Sequence, residues 1–322
     1  PVPMKPFNLF PYDSTFRFMR LRWVSLAIAL GLMLVAIGAI AFKGFNFALD
    51  FTGGVGVELR YERPVDVDDV RSRLQAAGFE SPVVQTLGTG RELLVRLQTE
   101  GGQGGDVVSR VSSVAQRVAQ VASTPDNPAT VQSSAQVTAQ VGRELAVNGI
   151  WAMLFVIVGF LIYISFRFEK KFAIAAVITT LHDVILVLGW FALMGREFDL
   201  TVLAGVLSVM GYSINDTIVV FDRVRENFRA MRADPVAVLD ASVNQTLSRT
   251  IITSFVALLT VVALYLYGGG SLRGMAEAQI IGIVIGTLST IFVACPLLLW
   301  LGVTKQDLLP KARDEAALAR RP

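Results

Sequence analysis

The sequence predicts a polytopic α-helical membrane protein with six spans and one small α+β domain outside the bilayer. Three observations predict it. The 322 residues are 53% hydrophobic, with a mean hydropathy of +0.56, whereas soluble domains sit near ~45–50% apolar. The excess is gathered into six runs, each matching the ~20 mostly apolar residues that a bilayer core requires. Between the first and second runs lie roughly one hundred residues with alternating and amphipathic patterns instead, enough for one small domain.

The six runs are Trp23–Phe42, Leu145–Phe166, Phe172–Gly195, Leu200–Phe221, Thr250–Leu272, and Ala278–Cys295 with its continuation to Thr304. The first, second, fifth and sixth carry no charge; the third holds only His182 and Asp183, and the fourth only Asp216. Arg17, Arg20 and Arg22 precede the first run and Ala39-Ile40-Ala41 resembles a cleavage site, but a signal-peptide core is only about 7–15 residues. An uncleaved anchor is expected, with Met4 reading as the natural start. Cys295 alone makes neither a disulfide nor a zinc site and reads as helix packing.

Basic residues cluster in the N-terminal segment, in the connection after the second run (Arg167, Lys170, Lys171), after the fourth (Arg223, Arg225, Arg229, Arg232, Arg249), and in the tail (Lys305, Lys311, Arg313, Arg320, Arg321). The positive-inside rule then puts both termini in the cytoplasm. The net charge of +3 is accounted for by these clusters rather than by nucleic-acid binding. The expected organisation is a cytoplasmic segment 1–22, a first span 23–43, a periplasmic domain 44–144, spans two to six over 145–304, and a cytoplasmic tail 305–322.

Within the outer domain, Gly56–Tyr61 alternates as a strand. Asp66 caps a helix that places Val67, Val70, Leu74 and Ala77 on one face. Val83–Leu87 and Glu92–Leu97 form a hairpin around Gly88-Thr89-Gly90. Val107, Val111, Val114, Val118 and Val121 follow helical spacing, and 129–138 is a final strand. That order, β-α-β-β-α-β, is the split βαβ of ferredoxin-like domains. Gly101–Gly105 lacks the Lys-Ser/Thr of a phosphate loop and reads as a connector. No Ser-His-Asp or Cys-His arrangement is visible, so nothing points to an enzyme, a nucleotide or a metal.

The charges inside the runs carry the function. A carboxylate or guanidinium at the centre of a bilayer helix costs ~2.5–3.5 kcal/mol, and such groups commonly mark proton relays. Asp183 lies about halfway along the third run beside His182. Asp216 lies about 9 Å deeper than Asp222, from a rise of 1.5 Å per residue, with Asn215 beside it as a supporting polar group. Arg249 enters the fifth run among uncharged neighbours. Asp216 with Arg249 is the expected ion pair and Asp183 a third member. The pair is either a titrating switch or a static ion pair, and His182–Asp183 either joins it or is an ordinary interhelical contact. In the sixth run Ala278, Gly282, Gly286, Thr290 and Ala294 recur every four residues, a small-residue ridge for close packing. Gly205, Ser208 and Gly211 offer a similar narrow face in the fourth.

Four stretches share one likeness: LDFTGG (Leu49–Gly54), LHDVILVLG (Leu181–Gly189), GYSINDTIVVFDRVRENFR (Gly211–Arg229) and QTLSRTIITS (Gln245–Ser254). Together they closely resemble the SecF family, within the resistance-nodulation-division superfamily. The resemblance implies half of an RND-type helical bundle that pairs with SecD beside the SecYEG channel and a YajC-type accessory subunit, in the bacterial inner membrane. It implies proton-driven promotion of preprotein export after the ATPase step, with sodium the alternative ion and no cofactor. It assigns the intramembrane pair to Asp216 and Arg249, and leaves Asp183 with a less defined role. Asp50, Phe51, Thr52, Gly53 and Gly54 match an outer motif, read as a hinge or docking element. Two other readings stay open: a passive scaffold for the translocon, and half of a small-molecule efflux pump.

Overall fold

A computed structural model describes residues 15–79, 82–87, 90–97, 107–137 and 139–305. Among the described residues, six helices are long and apolar enough to cross a membrane. A 3-10 turn (Phe18–Leu21) leads into α1 (Arg22–Lys43). A short strand β1 (Asn46–Phe47) and a one-turn helix α2 (Leu49–Thr52) precede the sheet domain. That domain contains β2 (Gly54–Arg60), α3 (Val67–Ala76), β3 (Val83–Leu87), β4 (Glu92–Leu97), α4 (Val107–Ala122) and β5 (Thr130–Val137). The chain returns through α5 (Ala139–Arg167), α6 (Lys170–Met194), β6 (Glu197–Phe198), α7 (Leu200–Ala230) and α8 (Pro235–Tyr267). The last span is α9 (Gly270–Ser289), a π turn (Thr290–Ala294) and α10 (Cys295–Trp300).

The sheet order is β3-β4-β2-β5, antiparallel throughout, as the split βαβ pattern requires. The strands at 83–87 and 92–97 appear where alternation placed them, and Asp66 caps α3 by accepting from the Asp68 N–H at 2.9 Å. Val57, Leu59, Val70, Leu74, Leu93, Val95 and Val118 are fully buried between sheet and helices. The expected Gly88-Thr89 turn and the Gly101–Gly105 connector lie outside the described residues.

The spans divide into an inner and an outer set. Over an 18-residue stretch of each span, 61%, 56% and 61% of residues are buried in α6, α7 and the last span, against 11%, 0% and 17% in the first, second and fifth. Two boundaries differ from expectation. The fourth run extends as helix to Ala230, and the fifth begins at Pro235. Arg223, Arg225 and Arg229 are therefore on a helix rather than in a loop, and Arg249 sits mid-helix in α8. Span ends are hard to read from hydropathy because an amphipathic helix continues past the membrane with no change of backbone. On that extension both carboxylate oxygens of Asp222 accept from the same Arg167 nitrogen, Nη2, at 2.9 Å.

Close approach depends on glycine at one outer contact. A Cβ on Gly189 of α6 would overlap the Ala36 methyl and lie 2.6 Å from its Cα. Backbone cannot move aside as a flexible side chain can, so overpacking there costs about 1–3 kcal/mol. Gly189→Ala is expected to lower the thermal midpoint of the detergent-solubilised protein. Gly31→Ala, where a Cβ meets nothing, is expected to leave it unchanged. Equal midpoints for both variants would contradict the packing of α1 on α6.

Candidate functional site

α7 and the last span run parallel and meet along a ladder with a four-residue step on both sides. Gly205 faces Ala278, Val209 faces Gly282, and Ser213 faces Gly286. Thr217 bonds Thr290 at 3.2 Å. A Cβ on Gly205 would sit 2.9 Å from the Met275 carbonyl, and one on Gly282 would overlap Val209. Gly205, Gly282 and Gly286 thus pack as the small-residue pattern expects. Ser208 and Gly211 do not: Ser208 is exposed, and a Cβ on Gly211 would meet open space. The true step on α7 is 205, 209, 213 and 217, and a three-residue step drifts off that face. Because Val209 is not small, it broke the pattern and hid this stripe.

Spacings of three and four place Ser213, Asp216 and Thr217 together on the buried face of α7. Asp183, fully buried on α6, collects three partners from three helices. Ser213 Oγ of α7 donates to its Oδ2 at 2.6 Å, and Ser289 Oγ of α9 donates to the same oxygen at 2.7 Å. His182 Nδ1 lies 2.9 Å from Oδ1, while among the described residues His182 Nε2 is buried without a hydrogen-bond partner. Asp183 is therefore the hub of a satisfied polar cluster, and His182 supports it.

Asp216 has less. Thr250 Oγ1 of α8 donates to its Oδ1 at 3.0 Å. Among the described residues, its Oδ2 is buried with no hydrogen-bond partner. Further along the seam, Ser254 of α8 accepts from Tyr212 and bonds Thr287, each at 2.7 Å. The expected Asp216–Arg249 ion pair is not made. Arg249 precedes Thr250 and is exposed, because adjacent helical residues point about 100° apart. The same geometry corrects Asn215, which is exposed and turned away from Asp216. Nor does Asp183 complete a triad with that pair; its partners are serines and a histidine. The bonds among Ser213, Thr250, Ser289 and Thr290 escaped sequence reasoning. Only part of their signal was available: Ser213 shares a helix face with Asp216, whereas Thr250, Ser289 and Thr290 lie on runs that carry no charge.

The last span changes pitch at this level. The π turn begins at Thr290, and Pro296 follows. Proline lacks an N–H and clashes with the carbonyl four residues back. A π turn absorbs the lost register, and such turns concentrate at functional sites.

The outer end of α7 joins the site to the sheet domain. Asp199 caps α7 by accepting from Val202 N–H at 2.7 Å, and Asp50 Oδ2 accepts from Leu200 N–H at 3.2 Å. Two carboxylates at a helix N-terminus suit its partial positive charge. Phe51 packs with Phe47 and Phe198. Gly53 and Gly54 are buried at φ +74° and +133°, backbone that glycine adopts without Cβ strain. Thr52 ends the α2 turn. The motif therefore docks onto the α6–α7 connection.

Two contacts missing from the sequence reading reinforce that docking. β1 pairs in parallel with β6, Asn46 opposite Glu197. Arg96 of β4, only 5% exposed, reaches Glu197 with Nη1 2.8 Å from Oε1. Oriented by its neighbours, the Gln85 amide accepts from Arg96 Nη2 at 2.9 Å and donates to Glu197 Oε2. Burial pushes the Glu197 carboxyl above its ordinary value; Arg96 pulls it back, and Asp199 and Asp50 push it up. Two-residue strands and single ion pairs leave no periodicity to read.

Comparison with known proteins follows this architecture. Residues 117–304 match the family model of the protein export membrane protein SecD/SecF, C-terminal, and residues 38–65 match the SecD/SecF GG motif. The chain is 45% identical to the protein translocase subunit SecF of Pseudomonas aeruginosa, over 94% of this chain and 96% of the relative. It is 41% identical to that of Escherichia coli O157:H7, over 94% of each. A Brucella abortus protein translocase subunit SecDF is 35% identical over 99% of this chain and 41% of its own. The crystal structure of SecDF, a translocon-associated membrane protein from Thermus thermophilus, aligns with a TM-score of 0.79 at 37% identity, covering 91% of this chain and 39% of that one. With six membrane-length helices, a split βαβ domain and a GG motif docked on the fourth span, the chain is a multi-pass membrane protein that belongs to the SecD/SecF protein export family.

Proposed function

We propose that this chain is a protein-export subunit that couples an ion gradient, most simply of protons, to outward movement of preprotein after the ATP-driven step. The observation that carries the reading is Asp216: a carboxylate at membrane depth with one oxygen held by Thr250 and the other unpartnered. Leaving a buried polar atom unsatisfied costs ~1–3 kcal/mol, and a proton on that oxygen would relieve the charge. Asp183, with three partners, is the fixed reference against which α7 moves. α7 carries Asp216 at one level and the docked outer domain at its end, so a shift of α7 is delivered to that domain. No chemical bond is made or broken in this scheme, and the chain acts as a transporter component rather than an enzyme.

Arg249 supports a second subunit. Lipid accounts for exposed Phe255, Val256 and Leu259 on α8, but not for a guanidinium facing hydrocarbon, at ~2.5–3.5 kcal/mol. Packing against a partner chain removes that cost. The Brucella and Thermus relatives named SecDF carry additional sequence in one chain, which favours SecD as that partner. In this reading the termini face the bacterial cytoplasm, the sheet domain faces the periplasm, and the pair works beside SecYEG with a YajC-type subunit. Preprotein import into inverted vesicles, with ATP constant and the gradient on or off, tests the arginine. Arg249→Met is expected to remove the gradient's benefit and Arg249→Lys to keep part of it. A full response in Arg249→Met eliminates Arg249 from the coupling step and favours a scaffold.

A further inference from the structure

At the end of the bundle opposite the sheet domain, the starts of α1 and α8 and the end of α10 enclose a pocket of about 520 Å³. Trp23 and Trp300 stand on its rim, 64% and 65% exposed. Pro235 and Pro296 form part of its wall. Arg22 and Asp234 line the same space. Among the described residues neither side chain is in an ion pair, with each other or with a neighbour, and Asp234 does not cap its own helix.

Tryptophan on the rim of a membrane protein marks the head-group level of the bilayer. The molecules available at that level in quantity are phospholipids. Two opposite charges that line one pocket without closing on each other match a ligand that carries both. We propose that this pocket binds a phospholipid whose head group joins a phosphate to a primary amine. Arg22 presents a planar fork to the phosphate, and the Asp234 carboxylate accepts from the ammonium. The two indoles lie beside the glycerol and upper acyl carbons. A head group with only negative charge would set its phosphate near Asp234 with nothing to neutralise the carboxylate. A quaternary choline head supplies charge but no N–H to donate. The site is independent of the ion-coupling reading.

The test exchanges the full-length protein into micelles holding equal amounts of phosphatidylethanolamine, phosphatidylglycerol and phosphatidylcholine, and counts retained lipid by native mass spectrometry. Wild type is expected to hold the ethanolamine lipid about tenfold over either competitor, the effect of one lost charge-assisted bond. Asp234→Asn is expected to bring that preference to within about twofold, and Asp234→Glu to keep it. Arg22→Gln is expected to weaken retention of all three. Asp234 is exposed, so its variants retain the fold. Equal or stronger retention of phosphatidylglycerol by wild type, or an unchanged preference in Asp234→Asn, overturns the proposal.

Discussion

Asp216→Asn is expected to erase the gradient-dependent increment of preprotein import while leaving ATP-driven import and membrane insertion intact. The substitution is nearly isosteric. An asparagine carbonyl oxygen still accepts from Thr250, whose 3.0 Å bond holds one oxygen of the side chain. What disappears is the charge and the capacity to take a proton. The membrane potential supplies about 2.3 kcal/mol per charge per 100 mV, and a neutral, non-titrating side chain can draw on none of it. The informative quantity is the difference between gradient on and gradient off, measured at matched protein levels. An unchanged difference would make Asp216 a structural polar residue and the chain a scaffold. Import lost equally with and without the gradient would instead point to damaged folding.

Arg96→Met is expected to free the sheet domain from the membrane helices. The guanidinium is almost wholly enclosed and holds Glu197, Gln85 and the Phe47 carbonyl. Without it the Glu197 carboxylate, 24% exposed, is left without its counter-charge. Removing one partner of a buried pair costs about 3–5 kcal/mol, and partial exposure places this one near the lower figure. The measurement is protease cleavage near residues 44–54 together with thermal unfolding. Faster cleavage and a lower midpoint are expected, with the Arg96→Met/Glu197→Gln pair recovering part of the loss. Unaltered cleavage would show that β1–β6 pairing and the phenylalanine cluster suffice alone. A pH dependence follows from Glu197. Its folded carboxyl binds its proton more tightly than the unfolded one, so the folded state holds the extra proton between the two values. Stability therefore falls as pH rises from the ordinary carboxylate range through the raised value. In Glu197→Gln that portion of the slope should vanish.

Hydropathy made the spans legible, and alternation made β3 and β4 legible to the residue. Those features repeat, so many residues vote for each. Asp216 and Asp183 were legible because a charge in an apolar run is costly wherever it points. Their partners were not, since distance between helices depends on packing that no single helix encodes. Arg249 shows the limit: its position in a span was readable, but the face it occupies follows from where α8 lies against α7 and α9. Asn215 failed for the same reason, one residue along and one-quarter turn away from Asp216. Glu197 and Arg96, 101 positions apart, carry no local mark of belonging together.

The ladder between α7 and the last span has a directional tolerance. Sliding α7 by one step, about 6 Å at 1.5 Å per residue, toward its own C-terminal end would carry Val209 from Gly282 to Gly286, another residue without a side chain. The opposite slide would drive Val209 onto the Ala278 methyl. That tolerance is confined to the glycine level: the same forward step would set Ser213 against Thr290 and Thr217 against Ala294, so the side chains beyond the last glycine act as a stop that holds α7 in register.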